Sequence, residues 1–210
     1  MQFFDIIPIA GIILSNIFGI NLIYTFNQNK EEYPVKEYNK LLFPILFINN
    51  INWFLFGILY EDLYITLSCL IGTFGTFLTT MLFYKYSDIY TMRLIEIILN
   101  IFMLYVILII YLKIFFVVYN DIILEIISTT TIITHVITYT IPFYTIKKII
   151  DSGNTESIYT PFTFIGFINS FLWTIYGFNQ NSMYQIIPNG YGILSSFIQI
   201  GITIWYIINK

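Results

Sequence analysis

Charge is scarce in this chain. Lysine, arginine, aspartate and glutamate make up 10% of its 210 residues, against 58% hydrophobic and 20% aromatic. A soluble domain carries about 25% charge to cover its surface, so a water-soluble globule is excluded. The mean hydropathy of +0.79 agrees. Cysteine is nearly absent, and the lone Cys69 excludes an internal disulfide and a cysteine-based metal site. His135 is the single histidine, and no Asn-x-Ser/Thr sequon occurs, so glycosylation gives no guide to sidedness. No nucleophile–base pair or metal constellation is visible at membrane depth. An enzyme is therefore disfavoured, and neither a cofactor nor a metal is expected.

What is present is hydrophobic length. A helix needs about 20 apolar residues to cross the hydrocarbon. Breaking the chain at its polar clusters leaves seven such segments, at 6–26, 41–60, 64–84, 94–118, 122–146, 161–178 and 186–208. They lack the short alternation of barrel strands, and lipid demands internally satisfied backbone, so all seven are predicted as helices. The first is too long for a signal-peptide core and is expected to persist as a helix.

Cations near helix ends mark the cytoplasmic side. Counting seven helices places Lys30, Lys36, Lys40, Lys85, Arg93, Lys147, Lys148 and Lys210 on one face. Only Lys113 falls towards the other, where its stem can snorkel. The opposite loops carry Glu61, Asp62, Asp121 and Glu125. The N-terminus is expected outside or in a lumen, and the C-terminus in the cytosol.

The chain also repeats itself. Phe47, Ile48, Asn49, Trp53 and Gly57 recur 120 positions later as Phe167, Ile168, Asn169, Trp173 and Gly177. In that ungapped register residues 20–79 match residues 140–199 at eleven positions, including Tyr24-Thr25 with Tyr144-Thr145, Tyr64 with Tyr184, and Gly72 with Gly192. Identity alone is a weak signal in so biased a composition; the clustering is what informs. Three segments correspond to three, with the fourth as a link, and an odd number of crossings makes the copies parallel. The predicted fold is all-α and membrane-spanning, a 3+1+3 arrangement of residues 1–86, 87–120 and 121–210. Two similar halves that enclose one site and rock about it are a transporter's design.

The second half carries recognisable motifs: Tyr139-Thr140-Ile141-Pro142, Lys147-Lys148, Asn154-Thr155-Glu156-Ser157, Pro161-Phe162, Asn169, Trp173-Thr174-Ile175-Tyr176-Gly177 and Ile187-Pro188-Asn189-Gly190-x-Gly192. In order and spacing, over about 70 residues, they resemble the SWEET family of sugar transporters, in the PQ-loop superfamily. The first half looks like a degenerate copy. The resemblance implies a facilitator of mono- or disaccharide diffusion, a uniporter working in both directions by alternating access. Carried over, the pocket residues are Asn189, Trp173, its facing partner Trp53, and Cys69, which stands where the family has asparagine. The family's bending prolines correspond to Pro142 and Pro161, with Pro44 three residues later than Pro161 demands, and Leu22 where proline is usual. Tyr176-Gly177 and Phe56-Gly57 match the outer gate, and Phe56 lacks the hydroxyl, so a gate hydrogen bond can come from one side only.

Physical chemistry fits these roles. Two indole faces can flank the C–H faces of a sugar ring while the Asn189 amide donates and accepts. Each net hydrogen bond contributes about 1 kcal/mol, so so sparse a site should bind at about −4 kcal/mol, in the millimolar range. A thiol at Cys69 cannot replace a carboxamide, so recognition should rest on Asn189 or the solute should differ from a hexose. Asn49 and Asn169 are expected to bond between helices. Gly72, Gly75, Gly192 and Gly201 should let helices approach.

Ion-driven carriers keep an ionisable group deep in the bundle. His135 is the only candidate here, and a neutral imidazole bonded to Thr131 or Thr138 is the expectation, hence uniport. A PQ-loop carrier of another solute is disfavoured because Leu22-Ile23 and Pro142-Phe143 stand where Pro-Gln would. A seven-helix receptor would need no repeat. The partners expected are a small sugar and the lipid bilayer, with no nucleic acid, and homo-oligomerisation is left open. The plasma membrane is the expected location, a Golgi or vesicle membrane the alternative.

Overall fold

The computed structural model describes residues 3–29, 39–115, 120–152 and 160–209. Lys30, Lys36, Asn154-Thr155-Glu156-Ser157 and Lys210 lie outside them, as do the side chains of Leu22, Tyr24, Thr25, Thr145, Lys148, Pro161 and Phe162. The described residues form seven α-helices: α1 (Phe3–Asn29), α2 (Leu42–Leu59), α3 (Leu63–Tyr86), α4 (Ile89–Phe115), α5 (Asn120–Ser152), α6 (Thr160–Asn179) and α7 (Met183–Ile208). Over its described residues, each predicted segment falls on one helix. α4 starts earlier than expected, which puts Arg93 in its first turns, and α5 runs past Lys147 to Ser152. Four of the helices, α2 to α5, are long and apolar enough over their described residues to cross a membrane.

Polar residues are gathered on the buried side of α7 and α3. In α7, Gln185, Asn189, Ser195, Ser196, Gln199 and Thr203 are buried, while Ile187, Leu194, Phe197, Ile204 and Trp205 are exposed. α3 has the same design, hiding Ser68, Thr76, Thr79 and Thr80 and showing Leu67, Leu70, Phe74 and Phe77. A helix in lipid turns its polar stripe inward, where hydrogen bonds can be made, and its apolar stripe to the acyl chains. Several buried hydroxyls are satisfied within their own helix, as Thr76 on Gly72 O and Thr79 on Gly75 O.

Helix packing follows the repeat. α3 packs against both α1 and α2, and α7 against both α5 and α6. The halves meet where α2 lies on α5 and α6 on α1. The hairpins between α2 and α3 and between α6 and α7 are built alike. Glu61 at φ 55° and Asn181 at φ 52° both take left-handed backbone, 120 residues apart. Asp62 N–H then bonds Gly57 O at 2.8 Å, and Ser182 N–H bonds Gly177 O at 3.0 Å. A Cβ on Gly57 would meet Thr66 N at 2.8 Å, and one on Gly177 would meet Gln185 Cβ at 2.9 Å, so each glycine admits the first turn of the following helix.

The tightest approach to backbone at these glycines joins α1 to α3. A Cβ on Gly75 would lie 2.6 Å from Gly19 O, and one on Gly19 would lie 2.9 Å from Gly72 Cα. Gly192 is similarly closed by Ser170 Oγ at 2.5 Å. Gly201 departs from expectation: nothing lies within 4 Å of its Cβ position, so it faces outward and brings no helix closer.

At the end of the bundle that holds the α3–α4 turn, Asp88 caps α4 by accepting from Thr91 N, Tyr90 N and Thr91 Oγ1. The bonds from Thr91, helped by Lys40, hold its carboxyl below the usual carboxylate range. Lys40 Nζ stands 3.8 Å away, an exposed ion pair of small energetic weight.

Candidate functional site

A cavity of about 130 Å³ lies between the two halves. One water needs about 10–15 Å³ by this measure, so the space suits a solute of roughly ten heavy atoms. α2 contributes Asn49, Asn50 and Trp53; α3 contributes Ile65, Ser68 and Cys69; α6 contributes Gly166, Asn169 and Trp173; α7 contributes Gln185 and Asn189. Ser15 of α1 and His135, Thr138 and Pro142 of α5 close it. The four expected pocket residues, Trp53, Cys69, Trp173 and Asn189, thus share one wall system. Pro44, Phe56, Tyr176, Gly57 and Gly177 lie outside the lining.

Both tryptophans are oriented by a bond across the repeat boundary. Trp53 Nε1–H donates to His135 Nδ1 of α5 at 3.0 Å. Trp173 Nε1–H donates to Ser15 Oγ of α1 at 3.4 Å. Ser15 and His135 are themselves 120 residues apart, so the two bonds are equivalents under the repeat. The Trp173 ring also lies against Gly11, where a Cβ would meet Cε2 at 2.9 Å. Neither Ser15 nor Gly11 stood out in the sequence; projecting His135 back through the 120-residue register would have found Ser15.

His135 corrects an expectation. Its partner is Trp53 rather than Thr131 or Thr138, whose hydroxyls bond back to Ile127 O and Thr134 O. β-Hydroxyls in a helix reach the carbonyl four residues earlier more easily than a neighbouring ring. The indole N–H can only donate, so Nδ1 is the acceptor nitrogen and the imidazole is neutral in this arrangement.

The paired asparagines bond between helices, as expected. Asn49 Oδ1 accepts from Thr134 Oγ1 at 3.3 Å, and Asn169 Oδ1 accepts from Ser15 Oγ at 2.9 Å. Asn189, which lines the cavity, donates one amide hydrogen to Gln185 O at 2.9 Å. Cys69 is buried with Ser68 Oγ 3.5 Å from its sulfur. Ser68 in turn donates to Ile65 O, so that wall is chemically bland.

The prolines divide into two kinds. Pro142 lies inside α5, where it deprives the Thr138 carbonyl of its helical donor. The next carbonyl, Tyr139 O, accepts from Ser195 Oγ at 2.7 Å and Gln199 Nε2 at 3.2 Å, so α7 braces α5 at the break. Pro44 and Pro161 sit in the first turns of α2 and α6, where a backbone N–H has no helical partner anyway. The missing hydrogen bond expected to let α2 and α6 bend is therefore not missing there. Pro8 and Pro188, which sequence reasoning did not single out as breaks, do lie inside α1 and α7.

Towards the α2–α3 hairpin the halves are tied again. Tyr176 O–H donates to Asp62 Oδ2 at 2.8 Å, while Asp62 Oδ1 caps α3 by accepting from Ile65 N at 3.0 Å. Phe56, fully buried at the position equivalent to Tyr176, stacks on Tyr60 at 5.1 Å and makes no such bond. Tyr64 packs edge-on to Tyr176 at 6.0 Å.

Comparison with known proteins places this architecture. Residues 125–210 match the family model described as "Sugar efflux transporter for intercellular exchange". No curated protein matches the chain. The fold matches the structure of a eukaryotic SWEET transporter, solved at 3.7 Å, with a TM-score of 0.77 at 17% identity, covering 98% of this chain and 99% of that one. The expected all-α arrangement is therefore the observed one over the described residues. Over residues 125–210 the chain is thus similar in sequence to that sugar-transporter family, and over 98% of its length it shares the fold of the eukaryotic SWEET transporter.

Proposed function

We propose that this protein is a sugar uniporter that moves a mono- or disaccharide down its gradient, in both directions, by alternating access to the central cavity. The observation that carries the reading is the cavity itself, lined from both halves and flanked by Trp53 and Trp173, each held by an equivalent cross-repeat bond. Trp53 and Trp173 stack on the sugar, Asn189 hydrogen-bonds it, and Cys69 supplies a small apolar contact. Residues 1–86 and 121–210 move as two bodies joined by the linker 87–120. Pro142 is the hinge inside a helix, and Pro44 and Pro161 act at helix starts. Tyr176 and Phe56, with Gly177 and Gly57, form the outer gate. The N-terminus lies outside or in a lumen and the C-terminus in the cytosol, most simply in the plasma membrane. Self-assembly is compatible with the apolar outer surface.

Uniport is supported by His135. It accepts the Trp53 indole proton at Nδ1, so taking up a second proton there would set two donors against each other. Purified protein in proteoliposomes should take up labelled glucose or sucrose saturably, at millimolar concentration, and show counterflow. Collapsing a proton gradient should leave the flux unchanged. Flux that vanishes with the gradient refutes uniport, and no flux of either sugar refutes the proposed substrate class.

The Tyr176–Asp62 bond is a natural latch for the outer gate. Tyr176→Phe removes it and leaves the α3 cap intact. A hydrogen bond to a charged group contributes about 1.5 kcal/mol or more, close to tenfold in an equilibrium. Cys69, the lone thiol, lines the cavity and reports access. The expected result is roughly tenfold faster modification of Cys69 by an impermeant thiol reagent added outside; an unchanged rate would remove Tyr176 from the gate.

A further inference from the structure

Two polar side chains in the cavity wall have hydrogen-bonding atoms that nothing among the described residues satisfies. Gln185 is 1% exposed, and neither its amide nitrogen nor its oxygen has a partner among the described residues. It sits one turn before Asn189 on α7 and lines the same cavity. His135 of α5 is 7% exposed, and its Nε2 is likewise unpartnered. Because Trp53 donates to Nδ1, the neutral ring carries its hydrogen on Nε2. Two residues that line the cavity therefore carry an unused imidazole donor and an unused carboxamide, which both donates and accepts.

Buried polar groups are nearly always paired, and an exception calls for a reason. Here the repeat sharpens the question. The counterpart of Gln185 is Ile65, which needs no partner, and that of His135 is Ser15, already bonded to Asn169 and Trp173. The unmet groups thus stand on the α5–α7 side, opposite the bland Ile65 and Cys69 wall.

We propose that His135 Nε2–H and the Gln185 carboxamide form a hydroxyl-binding subsite, completed by the transported solute. His135 donates to one hydroxyl oxygen. Gln185 accepts from one hydroxyl and donates to its neighbour, as a planar amide matches a vicinal diol. Neither group is charged, so the subsite selects a neutral polyol over an acid or an amine. It supplies the polar recognition that Cys69 does not. The proposal rests on the sugar-carrier reading above and names the atoms that read the sugar.

The test compares wild type, Gln185→Met and His135→Phe in proteoliposomes, with glucose and its monodeoxy analogues competing against labelled glucose. Each variant should raise the KM for glucose about five- to twentyfold, the loss of one or two hydrogen bonds, with the maximal rate little changed. At least one deoxy analogue that competes poorly in wild type should equal glucose in a variant, because the hydroxyl it lacks no longer has a partner. Gln185→Met should also leave the sugar-free protein as thermally stable as wild type or more so, since it removes a buried group with unmet bonds; a Gln185 with a structural role would instead lower the melting temperature. Wild-type flux with unchanged KM and unchanged analogue ranking in both variants overturns the subsite alone. Absence of flux for every sugar in wild type overturns the carrier reading with it. Should His135→Phe fail to fold because Trp53 loses its acceptor, His135→Gln keeps an acceptor for the indole, and the same ranking decides.

Discussion

Trp173→Ala is expected to abolish sugar uptake, and Asn189→Ala to weaken it about tenfold, at unchanged amounts in the membrane. Trp173 meets three neighbours at once: the α1 backbone at Gly11, Ser15 Oγ at 3.4 Å, and Tyr176 edge-on at 5.5 Å. Truncating a buried tryptophan costs about 3–5 kcal/mol, and here the loss also removes a flat wall from the cavity and unseats the ring next to the gate. Asn189 loses less. One of its amide hydrogens is already committed to Gln185 O within α7, so the solute can use only the remainder. One such bond is worth about 1–1.5 kcal/mol, roughly five- to twelvefold in affinity. Trp173→Phe separates packing from hydrogen bonding, since it keeps an aromatic face and drops the Ser15 bond. Undiminished uptake in both alanine variants would sink the assignment of this cavity as the transport site.

Gly75→Val should have the largest effect on folding. The added Cβ would lie 2.6 Å from Gly19 O and 3.0 Å from Gly19 C. Both obstacles are backbone atoms, so no side chain can rotate away, and α1 and α3 must separate. Overpacking of this kind costs about 3 kcal/mol or more, and the displaced α1 would carry Ser15 and Gly11 away from Trp173. The expected observation is loss of the monodisperse peak in detergent, or a fall in melting temperature well beyond that of surface variants. Gly201→Val is the matched control. With nothing within 4 Å, it should behave like the parent chain, and equal damage from both substitutions would show that propensity rather than contact decides.

The seven helices and the parallel repeat were legible because lipid leaves a long apolar run no alternative to a helix. The 120-residue register then carried over to backbone detail, down to the left-handed residues Glu61 and Asn181. Helix ends were less legible. α5 continues through Lys147 because a helix leaving the membrane need not stop where hydrophobicity does.

The pocket was legible in part. Trp53, Trp173, Asn189 and Cys69 were singled out from repetition and family motif, and all four line the cavity. Gln185 was passed over, since a glutamine among polar α7 residues carries no local mark of being unpaired. Ser15 and Gly11 matter only through what α6 brings to them.

By itself, then, the sequence determined how many helices there are, that they come as two like sets, and which family's sugar carriers they resemble. Those properties follow from hydrophobic length and from spacing along one chain. Only the tertiary structure decided which polar atoms are already paired and which are buried without a partner among the described residues. Trp53 meets His135 82 residues away, whereas Thr131 and Thr138 turn back on their own helix. Such pairings are set by distances between packed helices, and no local pattern of residues encodes them.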